Sequence, residues 1–264
     1  MHYTKIFSVV NEKTASTVMA RYAITLAAAC KAELVLYAAH PVGTDDGILQ
    51  HTVRHLDHIE AVATNLQVPV VRIIEVGSIC ELMPARIEAE KADLVFYPLT
   101  PYMRTGADLQ RHAVRSLLRT VKADLAIMRV ISMAKPHPGN ILVPLGKSIS
   151  NREQRLLFIA ELAKSFHARV TLFHLAAERH IKGMPTEISS FAELLQQQQI
   201  TVLERSSRGE VGKGITVEAI TRQNDLLILG ASKRGIIRRM FSGNPVVDVL
   251  HQPPCNTVLF RGAL

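Results

Sequence analysis

One order of apolar segments occurs twice in this chain, and that repetition limits the fold more than any other feature. LVLYAAH at 34–40 is answered by VTLFHLA at 170–176, and ADLVFYPLT at 92–100 by NDLLILGAS at 224–232. At a nearly constant offset, ADLAIMR at 123–129 then falls on CNTVLFR at 255–261. The chain reads as a tandem copy of one β-α-β-α unit. Between the copies, ISMAKPHPG at 131–139 holds two prolines and a closing glycine and reads as a linker.

Within the first copy, short apolar runs at Lys5–Val10, Glu33–His40, Val68–Val76, Ala92–Leu99 and Leu125–Val130 read as strands. Helical spacing separates them. Ala15–Lys31 places Val18, Tyr22, Leu26 and Ala29 on one face, and Ile48–Gln67 predicts an inward face of Leu49, Val53, Leu56, Ala63 and Leu66. Ser78–Lys91 and Asp108–Val121 complete the set. The second copy gives strands at Asn140–Leu145, Arg169–Ala176, Ile200–Ser206, Asp225–Gly230 and Thr257–Arg261. Its helices fall at Asn151–Phe166, Glu187–Gln199, a glycine-interrupted Glu210–Gln223, and Pro245–His251. Apolar strands alternating with helices predict a parallel sheet covered on both faces, with ligands beyond the carboxyl ends of the strands where the strand order reverses.

Composition narrows the function. With 264 residues, 48% of them hydrophobic, the chain has material for two cores, assigned to residues 1–131 and 140–264. No apolar run is long enough to cross a bilayer and the first residues lack a leader pattern, so the expected location is the cytoplasm. A formal charge of +8 favours anionic partners. The absence of Trp, with only 5% aromatic residues, removes the stacking surfaces of single-strand nucleic-acid binders, so nucleic acid is not expected. Cys30, Cys80 and Cys255 stand apart without C-x-x-C spacing and read as small core residues.

One stretch carries anion-binding chemistry, LLILGASKRGIIRRMFSGNPVVDVL at 226–250. Gly230 ends a strand, Lys233, Arg234, Arg238 and Arg239 supply positive charge, and Gly243 lets a ligand approach. Asn244 and Pro245 are a favoured N-cap and first-turn pair, which would aim free N–H groups and the helix dipole at an anion. An ordinary crossover with a solvated basic face fits the same residues.

These segments, with ILVPLGKS opening the second copy and AELAKSFHARVTLFHL after it, resemble the universal stress proteins in their tandem form. The resemblance implies two tandem α/β sandwich domains of the open-sheet kind, each with five parallel strands in the order 3-2-1-4-5 and helices on both faces, packed as a pseudo-dimer. It implies bound ATP or another adenine nucleotide, with no metal required. The family's phosphate signature G-x2-G-x9-G-[ST] corresponds here to Gly230, Lys233, Gly243 and Asn244. The candidate nucleotide site is therefore Pro144, Gly146, Gly230, Ser232, Lys233, Arg234, Gly243 and Asn244, with Pro144 and Gly146 on the base side. An Asp at the end of strand one holds the adenine in nucleotide-binding members. That position is Gly146 in the second copy and Asn11 in the first, and neither offers a carboxylate. In the first copy Pro98, Pro101 and Arg111 stand where the second has Gly230, Lys233 and Gly243, so the first copy is expected to bind no nucleotide.

Other constellations are weaker. His51, His55 and His58 share a helix face and have metal-compatible spacing, but no fourth ligand accompanies them, and a solvated polar face explains them. No G-x-S-x-G elbow or Walker A string is present, and Gly146-Lys147-Ser148 lacks the frame of the latter. The expected function is a non-catalytic nucleotide-sensing or anion-sensing module of stress response, with its ligand in the second copy and a two-fold homodimer as the default assembly. The alternative is an interaction module that has lost nucleotide binding and docks to a transporter or signalling partner through its basic loop. Slow ATP hydrolysis, for which no general base is visible, stands third.

Overall fold

The computed structural model describes residues 2–99, 107–133, 137–176, 183–231, 249 and 252–264, with backbone alone over 107–113. Contacts divide the chain into two compact units, Met1–Pro136 with Gly262–Leu264, and His137–Arg261.

The first unit runs β1 (Lys5–Val9), α1 (Thr14–Cys30), β2 (Glu33–His40), α2 (Asp46–Asn65), β3 (Val70–Val76), α3 (Ile79–Glu90), β4 (Leu94–Pro98), α4 (Ala107–Thr120) and β5 (Asp124–Arg129). Its strands lie in the order β3-β2-β1-β4-β5, and the register is parallel throughout. The second unit runs β6 (Asn140–Leu145), α5 (Arg152–Phe166), β7 (Arg169–Ala176), α6 (Thr186–Gln197), β8 (Val202–Arg208), α7 (Val211–Thr221), β9 (Leu226–Gly230) and β10 (Asn256–Arg261). Its order is β8-β7-β6-β9-β10, again parallel. Both units thus carry the order 3-2-1-4-5, with helices on both faces of the sheet.

Burial follows from that order. Inner strands are covered on both faces and read as unbroken apolar runs: β4 is buried at every position. Edge strands keep polar residues, and β8 (VLERSSR) buries none of its positions fully. α1 is buried on nearly all sides, from Ala15 to Ala27, and only Ala29 of its predicted stripe is exposed.

Several helices end by one device. Lys31, Lys91 and His167 adopt left-handed backbone, with φ of 57°, 55° and 50°, and an alanine follows each. The amides of Ala32, Ala92 and Ala168 reach back to Ala27, Ile87 and Ala163 and satisfy carbonyls that the last turn leaves open. This turns the chain sharply into β2, β4 and β7 without glycine.

The inward face of α2 differs from the expected one. Thr52, Leu56, Ile59 and Ala63 are buried, whereas Val53 and Leu66 are exposed. The helix is rotated so that Thr52 faces inward, its hydroxyl satisfied by the Ile48 carbonyl at 3.1 Å. The glycine break predicted in the helix over Glu210–Gln223 is also absent: α7 runs unbroken past Gly212 and Gly214. A Cβ at Gly214 would meet Leu175 Cδ2 at 2.6 Å, so glycine there serves close packing against β7.

Candidate functional site

The carboxyl ends of β6, β7 and β9 surround a cavity of about 280 Å³ in the second unit. Pro144 and Gly146 border it from β6, Phe173 and Leu175 from β7, Leu229 and Gly230 from β9, and Val211 and Ile215 from α7. Ser148 and Ser150 of the loop after β6 add two hydroxyls. This is the place where the order of a doubly wound sheet reverses and leaves a crevice.

Two contacts hold the β6 end of the cavity. The Ile149 amide donates to Glu187 Oε1 on α6 at 2.8 Å, which ties down the loop. The His174 Nδ1–H donates to the Leu145 carbonyl at 3.0 Å, since the carbonyl can only accept. Gly146 leaves open space, because a Cβ there would meet nothing nearer than the Ser148 carbonyl at 3.8 Å. The missing carboxylate at this position is therefore not a steric necessity.

Among the described lining residues, the charged group comes from α5. Arg155 lies one helical turn before Phe158 and Ile159, on the buried side of the helix. Phe158 stacks on Phe260 of β10 with centroids 4.4 Å apart, and this packing holds the face of α5 that carries Arg155 toward the sheet. Its guanidinium lies over Gly230, where a Cβ would come within 1.2 Å of Nη2. Arg155 is only 7% exposed. No hydrogen bond or ion pair of its side chain is found among the described residues, and burial alone pulls its pKa down to about 10. It remains a cation at neutral pH.

Of the residues expected from sequence, Pro144, Gly146 and Gly230 meet around this cavity. Ser232, Lys233, Arg234, Arg238, Arg239, Gly243 and Asn244 lie outside the described residues, as does the helix expected at Pro245. Lys147 is exposed and does not border the cavity, whereas Ser148 does. Arg155 was not expected. Its signal was present in the spacing 155, 158, 159, 162, which puts an arginine in line with the buried positions of α5.

The corresponding end of the first unit is tied up by its own side chains. Asn11 Oδ1 accepts from the Lys13 amide at 3.0 Å, and the Asn11 carbonyl accepts from Ser16 Oγ at 3.1 Å and from the His55 ring at 2.8 Å. Tyr37, the counterpart of Phe173 in the repeat, donates to Glu75 Oε2 at 2.7 Å, and Arg86 of α3 pairs with the same carboxylate. The arginine, then the tyrosine, hold the Glu75 carboxyl below its usual range, while burial and the carboxylate push the Tyr37 hydroxyl up. Pro98 stands at the end of β4 as Gly230 does at the end of β9. The amides that follow, Leu99 and Ala231, bond Met128 and Phe260 in the same way. Pro101 and the Arg111 side chain lie outside the described residues.

The histidine face of α2 is not the free polar stripe expected. His55 is half-buried against Asn11, and the His58 Nε2 lies 3.3 Å from Arg21 Nη2, so the imidazoles are engaged separately. Burial, then Asp225, raises the Cys255 thiol to about 12, which leaves it protonated.

Among the described residues, no helix is long and apolar enough to cross a membrane. No curated protein matches the sequence. Solved structures share the fold over almost the full length at low identity. A universal stress protein from Archaeoglobus fulgidus DSM 4304 superposes with a TM-score of 0.73 at 12% identity, covering 98% of this chain and 96% of that one. A functionally unknown protein from Pseudomonas aeruginosa PAO1 gives 0.65 at 13%, covering 98% and 93%. The cytoplasmic domain of a prokaryotic cation chloride cotransporter gives 0.63 at 11%, covering 99% and 96%. Residues 137–261, the segment that contains the cavity, match the model of the Universal stress protein family. In that segment, somewhat under half of its length, this chain is similar to the universal stress protein family.

Proposed function

We propose that the chain is a non-catalytic sensing module for a nucleotide or another small anion, with the ligand held in the second unit at the carboxyl ends of β6 and β9. One observation carries this reading: a buried guanidinium without a partner among the described residues borders a cavity at the switch point of the sheet. The other described lining groups are apolar side chains, two hydroxyls and backbone, which is binding chemistry. Gly230, Pro144 and Gly146 keep the roles given to them above, and Ser232, Lys233, Arg234, Gly243 and Asn244 complete the phosphate side. The first unit acts as a structural partner, since Asn11, Tyr37, Glu75 and Arg86 use their polar groups on one another and on the neighbouring loop. A cytoplasmic setting and a two-fold homodimer belong to the same proposal.

Two measurements on the full chain test it. Denatured protein is examined for excess absorbance near 260 nm, and the melting temperature is followed as ATP or a simpler anion is added. A ligand that binds the folded state alone must raise the melting temperature. Copurified nucleotide, or a rise with an added anion, supports sensing. A nucleotide-free protein indifferent to every anion favours docking to a partner instead, a role for which the cotransporter's cytoplasmic domain offers the same fold.

A further inference from the structure

We propose that Arg155 is the charge-receiving group of this cavity and that its ligand is a compact oxyanion on an apolar body, rather than a nucleoside triphosphate. The inference deepens the proposed function and relies on it for the location of the ligand.

The first ground is electrostatic. A guanidinium carries five donors that need acceptors, and burying it unpaired is costly. Arg155 is 7% exposed, and the described lining includes no carboxylate to answer it. A structural arginine is normally paired when buried. An unpaired one beside an open cavity is matched by an anion that arrives from solution.

The second ground is shape. Gly230 admits the guanidinium because it has no Cβ, and the fork lies against the backbone at the end of β9. Leu145, Phe173, Leu175, Ile215 and Leu229 supply apolar walls beside it, and Ser148 and Ser150 supply hydroxyl donors. At about 280 Å³ the space lies just below the range of roughly 300–1,000 Å³ usual for drug-sized ligands. A planar fork among apolar walls suits a carboxylate or phosphate monoester bound in bidentate fashion, with its apolar part against Phe173.

The test uses the full chain and three forms, wild type, Arg155→Met and Arg155→Lys, with phenyl phosphate, benzoate, inorganic phosphate and ATP as separate probes. Phenyl phosphate or benzoate is expected to raise the wild-type melting temperature and to bind more tightly than inorganic phosphate. The stronger of the two then tells a phosphate source from a carboxylate source. R155M should lose about tenfold or more of that affinity, as the loss of a charged hydrogen-bonding partner implies. Its ligand-free melting temperature should equal or exceed that of wild type, because an unpaired buried charge has been removed. R155K keeps the charge without the fork and should bind with intermediate affinity.

A ligand-free R155M that fails to fold, or melts several degrees lower while R155K keeps full affinity for the probes, marks a structural arginine and overturns the inference. ATP bound more tightly than phenyl phosphate, and equally by wild type and R155M, overturns it while leaving the proposed function in place. Indifference to all four probes overturns both.

Discussion

Glu75 and Arg155 show how one fold disposes of charge in two ways. In the first unit the carboxylate is answered internally by Arg86 and Tyr37. In the second, Tyr37 is replaced by Phe173 and the cation on α5 has no answer among the described residues. The first arrangement has a pH signature. Hydrogen bonding from Arg86, then from Tyr37, lowers the Glu75 carboxyl below its ordinary value, so folding favours its charged form. The resulting stability is fully present above the unfolded carboxyl's value of about 4.3 and is lost as pH falls through the lower folded value. Glu75→Gln should therefore lower stability at neutral pH and flatten its decline between about pH 5 and pH 2, which urea unfolding at stepped pH measures. Equal slopes for both forms would refute this coupling. Arg155 itself escaped the sequence reading because Arg-Glu-Gln-Arg at the start of a helix looks like a solvated first turn. Only its alignment with Phe158 and Ile159 distinguishes it.

At the scale of elements, periodicity located the helices but did not fix their rotation. α2 offers two nearly equivalent apolar stripes, and packing against the sheet selected Thr52, Leu56, Ile59 and Ala63 over the one containing Val53 and Leu66. A threonine can join the inward face because its hydroxyl bonds its own helix, something that a hydrophobicity count misses. The stripes are told apart by mutation. Leu56→Ala removes a fully buried side chain and should cost about 2–5 kcal/mol. Leu66→Ala, at a site 49% exposed, should stay within about 0.5 kcal/mol. Denaturant midpoints at unchanged slope would measure both, and similar losses would contradict the rotation described. Helix ends were more legible than faces. Lys-Ala and His-Ala at the turns into β2, β4 and β7 recur with the repeat, although nothing in a lysine by itself announces left-handed backbone.

At the scale of the whole molecule, the division into units does not follow chain order alone. Gly262–Leu264 belong with the first unit, where the Ala263 amide donates to Asp124 Oδ1 at 2.7 Å and the Leu264 amide to the Lys122 carbonyl at 3.1 Å. Asp124 is 4% exposed and takes the Tyr3 hydroxyl on its other oxygen at 2.7 Å. Burial, then the Asp124 carboxylate, raises the Tyr3 hydroxyl well above its ordinary value. Removing residues 262–264 takes a donor from a buried carboxylate and should destabilise the first unit by about 1–3 kcal/mol. Hydrogen exchange should then show faster opening of β5 with little change in β6 or β7. Uniform acceleration through both units, or none, would contradict this assignment.

The sequence by itself determined the architecture: two copies of one strand-helix order, parallel because apolar strands alternate with helices, with the switch-point residues Pro144, Gly146 and Gly230 at one end. Those features are local patterns of period and turn chemistry, and a repeat shows them twice. Tertiary structure alone decided which face of α2 is inside, that the end of the first unit is tied up by its own side chains, and that Arg155 brings a cation to the second unit's cavity. Each depends on what stands opposite a side chain across tens of residues of sequence, where desolvation and partner geometry, rather than spacing along the chain, set the energy.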